Sequence, residues 1–261
     1  MFAATVIYLV YLAIPIILLI VGSLGDIWFN TLLPSGMTGK WYAQVATDGS
    51  FRRAFATSLV VCASTCALAA VIGVPLAYAI YGTAARGVRV AARMVYLLPI
   101  AVPPLVLAFG FVLVFSSDAL PFLGSPWVLI GGHLVLTLPY LLQTLVGDMR
   151  HLNLAELERA AESLGAGVAA RFIDIVLPSL RHSLASGLIM VAALSIGEFQ
   201  LSNLVAGFLT RPYPVVLLQA FYGATGFACA ATVILLALAL LAASAGTAAA
   251  RGAGAVHGVS A

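Results

Sequence analysis

The chain has 261 residues, of which 63% are hydrophobic and only 8% charged, and its mean hydropathy is +1.12. A water-soluble globule is nearer half apolar and a quarter charged, so that class is excluded and an integral membrane protein with several helical spans is expected. The formal net charge is a modest +3, and no nucleic-acid partner is expected.

The first apolar run, Phe2 to about Leu24, carries no charge. The residues before it lack positive charge, the run is long, and no small-x-small site closes it. It therefore reads as a retained helix rather than a cleaved signal peptide. The following loop, Gly25 to Phe51, holds Trp28, Phe29, Trp41 and Tyr42, aromatic residues suited to an interfacial belt. A second span is expected from about Ala54 to Tyr81. Within it Cys62 and Cys66 stand i, i+4 with no His or carboxylate nearby in sequence; like Cys229, they read as small apolar packing residues.

The loop GTAARGVRVAAR carries three arginines and no acid. A third span, Met94 to about Ser116, contains LLPIAVPPLVLAFG. An interior proline costs a helix about 3 kcal/mol, and neighbouring helices must satisfy the freed carbonyls, so this span is expected to be kinked or partly unwound. A fourth covers Trp127 to about Gly147; its His133, beside two glycines, reads as a packed, hydrogen-bonded residue. The fifth covers about Ser183 to Ala206. The sixth, about Gly226 to Ala245, follows a short apolar piece, Val215 to Tyr222. Six spans, with five or seven as the alternatives, are expected in one membrane domain, residues 1–250, followed by a flexible tail, 251–261. No internal repeat is visible.

Alternating loops give one side Arg86, Arg89, Arg93, Arg150, Arg159, Arg171, Arg181 and Arg251, and the other Lys40, Arg52, Arg53 and Arg211. The positive-inside bias places the first set, and with it both termini, in the cytoplasm. Glu198, in SIGEFQLSN, is the only acid inside an expected span. An ionised carboxylate there must face the bundle interior, water or a partner. With Gln200, Ser202 and Asn203 it forms the most polar part of any span, either lining a pathway or gate or acting as helix-to-helix hydrogen-bonding glue.

One charged segment interrupts this greasy chain. Asn153 followed by Glu156 resembles a capping arrangement at a helix start. Leu154, Leu157, Ala161 and Leu164 then form one helical stripe, ringed by Glu156, Glu158, Arg159 and Glu162. Gly165 is placed to end the helix. A second amphipathic piece, Ala169 to Val176, precedes Leu177-Pro178. Periodicity alone suits a helix resting on headgroups. Phosphate-loop, HExxH and paired-Cys motifs are absent; if transport is powered by nucleotide, another subunit must supply it.

Ala160-Ala161, three residues, Gly165, nine residues and Ile175-Val176-Leu177-Pro178 resemble the cytoplasmic loop of permease subunits of binding-protein-dependent ABC importers. The family pattern opens with Glu-Ala-Ala, whereas this chain has Arg159 at the acidic position and Glu158 one place earlier. Glu158 could substitute if the helix is rotated by about 100°; alternatively, Arg159 meets an acidic partner. The resemblance runs from about Phe51 to Leu236. LSIGEFQLSNLVAGF and TRPYPVVLLQAF are similar to permeases for polyamines, phosphonates, thiamine, ferric iron, molybdate and sulfate.

The resemblance implies an all-α type I importer permease with about six transmembrane helices, a non-catalytic subunit of the inner membrane. Its coupling loop would be about 148–181, with Glu158, Arg159, Ala160, Ala161, Leu164, Gly165, Ile175, Leu177 and Pro178 as ATPase-coupling residues. The implied partners are two ABC ATPase subunits that bind the ATP and Mg, a second permease (a homologous chain or another copy), a soluble or lipid-anchored substrate-binding protein, and the bilayer. No cofactor is expected in this chain. The solute expected is 2-aminoethylphosphonate-like or polyamine-like, with thiamine, ferric iron, molybdate or sulfate as alternatives. An ion-coupled secondary transporter would show more intramembrane acids and an inverted repeat. A membrane-embedded enzyme would cluster its histidines, which here are scattered at 133, 151, 182 and 257.

Overall fold

The computed structural model describes residues 2–28, 31 and 33–255, with side chains from residue 4 to residue 240 within those limits. The expected tail falls partly inside a helix that runs to Ala255; residues 256–261, like Phe29, lie outside the described residues. The chain forms two compact units, one made of Met1–Ala56 with Pro212–Ala261 and the other of Thr57–Arg211.

In the first unit, α1 (Phe2–Leu24) carries Pro15 without breaking. Its side chains from Val6 to Ile20 are largely exposed, as suits a helix surrounded by lipid rather than water. A short antiparallel ribbon follows, β1 (Gly25–Ile27) on β2 (Ser35–Met37). The hydropathy pattern gave no sign of it, because three-residue strands are too short for an alternation to register. Helix α2 (Lys40–Thr47) leads to Asp48, whose Oδ1 accepts the backbone N–H groups of Ser50 and Phe51 at 2.8 and 2.9 Å. That cap opens α3 (Gly49–Gly82). The unit closes with α12 (Tyr213–Phe221) and α13 (Thr225–Ala255).

Two of the belt aromatics are held internally here. The Trp41 indole donates to the Gly25 carbonyl at 2.8 Å and lies where a side chain on Gly226 would have to be. Tyr42 bonds Ser23 Oγ at 2.7 Å. A core of Val45, Phe51, Tyr213, Ala230 and Ala231 sits beside them.

Most of α3 belongs to the second unit, with α4 (Arg86–Ala101), α5 (Pro104–Phe115) and α6 (Pro126–His151). The third expected span is α4 and α5, bent by 99° at the break. Val102 and Pro103 each precede a proline, which drives them out of the α region; their ψ angles are 127° and 135°. A single interior proline does not suffice, since Pro75 and Pro139 lie inside unbroken α3 and α6. Ser125 and Pro126 start α6 as cap and first residue.

Helix α7 (Leu154–Ser163) comes next. It is followed by α8 (Val168–Arg171), a π turn over Phe172–Val176 and α9 (Leu177–Ser179). The fifth span differs from the expected uninterrupted helix: α10 (Arg181–Ile196) stops at Gly197, and α11 (Gln200–Val205) restarts after Phe199.

Among the described residues, three helices are long and apolar enough to cross a membrane. Counting each of two bent pairs, Arg86–Ala101 with Pro104–Phe115 and Val168–Ser179 with Arg181–Ile196, as one span gives up to five, and Thr225–Leu240 is a shorter apolar segment in the place of the expected sixth. Helices α3, α6 and α10 share a core of Ala69, Ala77, Leu141, Leu145, Met149 and Val191. Close approach needs glycine at Gly187, where a Cβ would lie 2.5 Å from Leu141 Cδ1. The Cys62 and Cys66 thiols reach the Ala192 and Leu188 carbonyls of α10 at 3.8 Å, in keeping with a packing role.

Candidate functional site: a surface helix and an intramembrane polar network

The charged segment is built around α7. Its start corrects the capping expectation: Asn153 is left-handed (φ 49°, ψ 41°) and makes no side-chain cap. With α6 ending only two residues earlier, the chain must reverse sharply there, and Asn tolerates that conformation. The Ala155 N–H is instead taken by Tyr81 Oη at 3.0 Å.

The far end is as expected. Gly165 has φ +87°; its N–H bonds Glu162 O at 2.9 Å and the Ala166 N–H bonds Ala161 O at 3.0 Å. This pair closes a helix on a left-handed residue that only glycine adopts without strain.

The stripe divides. Leu154 is fully buried and joins the α3–α6–α10 core, whereas Leu157 is 48% and Leu164 88% exposed. The inward face is therefore Leu154, Glu158 and Ala161. Glu158 accepts a hydrogen bond from Tyr78 Oη of α3. Arg159 and Ala160 are exposed, and Arg159 Nε bonds its own helix at Ala155 O, 3.0 Å away. Glu162 pairs with Arg171 at 2.9 Å, tying α7 to α8. Leu177 and Pro178 are exposed and Ile175 half-buried. The residue in the family's acidic position thus points outward as a cation, while the neighbouring acid is engaged within the chain.

The polar site lies at the α10–α11 break. Glu198 Oε1 accepts Leu201 N–H at 2.7 Å, and Oε2 accepts Ser202 N–H at 2.8 Å and Ser202 Oγ at 2.6 Å. The carboxylate thus caps α11 from its own N-terminal side, where the helix dipole favours an anion. His133 of α6, 1% exposed, bridges Ser195 Oγ (Nδ1, 2.8 Å) and Ser202 Oγ (Nε2, 2.9 Å), and its Nε2 is 3.7 Å from Glu198 Oε2. Glu198 also borders a cavity of about 220 Å³ with Pro99, Val102, Pro104 and Tyr140, at the α4–α5 break.

Of the four polar residues singled out from the sequence, Glu198 and Ser202 belong to this network. Gln200 and Asn203 are exposed on the other side of α11. His133 and Ser195, 62 residues apart, are brought in only by packing, although a buried His in an apolar helix was a usable signal.

A model of the binding-protein-dependent transport system inner membrane component family matches residues 69–252. The chain belongs to this family.

As a permease of this kind it is 29% identical over 242 residues to PhnV of Salmonella typhimurium, a permease protein assigned to a 2-aminoethylphosphonate transport system; the match covers 91% of this chain and 89% of PhnV. It is also 29% identical over 197 residues to the spermidine/putrescine transport system permease protein PotC of Escherichia coli K12, covering 76% and 73%. The structure of a bacterial ABC transporter that imports the acidic polysaccharide alginate contains a chain matched with a TM-score of 0.79 at 16% identity, over 95% of this chain and 92% of that one. The alginate transporter in complex with a pentasaccharide-bound periplasmic protein gives 0.74 at 18% identity, over 94% and 90%. The permease therefore has the type I importer fold, resides in a membrane, and is a transport component rather than a catalytic subunit.

Proposed function

We propose that this permease forms half of a translocation pathway, completed by a second permease chain, for a small solute delivered by a substrate-binding protein. ATPase subunits on separate chains, which hold the ATP and Mg, dock on the α7 loop. The loop and both termini face the cytoplasm. The similarity to PhnV and PotC supports a 2-aminoethylphosphonate-like or polyamine-like solute, and the complex of the alginate transporter with its periplasmic protein supports delivery by a binding protein.

The observation that carries this reading is the way α7 is held. One side is tied to the bundle through Leu154, Tyr81 and the Tyr78–Glu158 bond. The other presents Leu157, Arg159, Ala160 and Leu164 to a partner. Burial of Leu154 alone contributes about 2 kcal/mol to that hold. A push on α7 therefore reaches α6, whose 26 residues span about 39 Å as a rigid rod and carry His133. Through His133 it reaches Ser195, Ser202 and Glu198 at the broken helices. ATP-linked motion of the docked subunits would shift this network between two sets of contacts, as coupling between sites requires.

Gly165 provides the test, because a side chain there meets nothing within 4 Å in this chain. Gly165→Trp is expected to abolish co-purification of the ATPase subunit and ATP-driven uptake, with normal recovery in membranes. Gly165→Ala shares the left-handed strain, about 1 kcal/mol, without the bulk, and is expected to retain both. Docking and uptake in Gly165→Trp equal to those of Gly165→Ala would refute the reading.

A further inference from the structure

Four of the arginines that the coupling scheme leaves unused come together around one space. Arg86, Arg89 and Arg93 stand at i, i+3 and i+7 on α4 and so share a helix face, and Arg150 comes from the last turn of α6. Together with Val90 they line one open cavity of about 410 Å³.

No carboxylate lines that cavity, and none of the four belongs to an ion pair among the described residues. Like charges gathered around one space repel one another, and an anion would relieve that repulsion. Guanidinium groups offer paired N–H donors that fit phosphate oxygens in bidentate fashion. Arg86 is the first residue of α4, where the helix dipole adds to the positive potential.

The same helix also exposes apolar side chains: Val88 is 60%, Met94 68%, Val95 72% and Leu98 62% exposed. A soluble anion would have no use for them, but acyl chains would. We propose that Arg86, Arg89, Arg93 and Arg150 bind the phosphate headgroup of an anionic phospholipid whose tails lie along α4. Basic pockets beside transmembrane helices are suited to such headgroups. The site would fasten α4, and with it the break at Val102–Pro103, to the membrane surface.

The test uses the full chain purified in mild detergent and titrated with phosphatidylglycerol or phosphatidylcholine, with bound lipid counted by native mass spectrometry. It makes no use of transport, so its result is independent of the importer reading. The unaltered chain is expected to hold phosphatidylglycerol at least tenfold more tightly than phosphatidylcholine. Each arginine near a membrane surface contributes roughly fivefold, so R89Q/R93Q should bind phosphatidylglycerol about 25-fold more weakly. R89K/R93K should recover most of that loss, and R52Q/R53Q, the same charge change elsewhere, should match the unaltered chain. Equal retention by R89Q/R93Q, or an equal loss in R52Q/R53Q, would overturn the proposal. Displacement of the lipid by millimolar inorganic phosphate would mark a soluble-anion site and overturn it too. So would loss of ATPase-subunit recovery from R89Q/R93Q with lipid retention unchanged, which would mark a protein contact.

Discussion

Glu198 shows how one ionisable side chain can be kept inside an apolar bundle. Its two oxygens accept three hydrogen bonds from the first turn of α11 and from Ser202, so its desolvation is offset by groups that a helix start leaves unsatisfied in any case. The sequence identified the acid and its polar neighbours but left open whether they line a gate or glue helices. The geometry assigns Glu198 both a structural cap and a place at the wall of a cavity. Glu198→Gln keeps one acceptor oxygen and removes the charge, a change worth about 1.5 kcal/mol for a charged hydrogen bond, or roughly tenfold. The variant is therefore expected to assemble in normal amounts and to take up solute about tenfold more slowly. Unchanged uptake kinetics in an intact complex would leave the network a packing device.

Among the elements, breaks matter more than spans. The α4–α5 bend was legible because two successive prolines act locally on the residues before them. The α10–α11 break was not, because Gly197 is unremarkable in an apolar helix and the cap that stabilises the restart depends on the direction of the Glu198 side chain. The loop after α11 is fixed by backbone rather than side chains: Gly124 N–H bonds Val205 O at 3.2 Å, and a Cβ on Gly207 would collide with the Gly124 carbonyl. Backbone cannot rotate away as a side chain can, so Gly207→Ala is expected to cost about 1–3 kcal/mol and lower the melting temperature of the detergent-solubilised chain. Gly147→Ala, inside α6 with nothing within 4 Å, should leave it unchanged or raise it through better helix propensity. A melting temperature for Gly207→Ala equal to that of Gly147→Ala would show that the backbone contact is not rigid. In α7 the stripe was legible but its division was not. Which leucines face inward depends on where α3 and α6 stand, and Leu154 is taken into the core while Leu164 is left exposed.

At the level of the whole molecule, the arginine bias and the helix count make a topological claim. Reporter fusions at either terminus are expected to give cytoplasmic signals: fluorescent protein bright, alkaline phosphatase inactive. Active phosphatase at either end would invert the assignment and take the α7 loop away from any cytoplasmic ATPase. The sequence by itself determined that this is a helical membrane protein, where most of its spans lie, and, through the spacing from Ala160 to Pro178, which family it belongs to. These properties depend on composition and local periodicity, which are carried by neighbouring residues. Only the tertiary structure decided that Glu158 turns inward to Tyr78 while Arg159 faces out. It alone joined His133 to Ser195, Ser202 and Glu198, and gathered Arg150 with the arginines of α4. Each of those outcomes depends on side chains far apart in the chain, and helix packing rather than local pattern sets the distance between them.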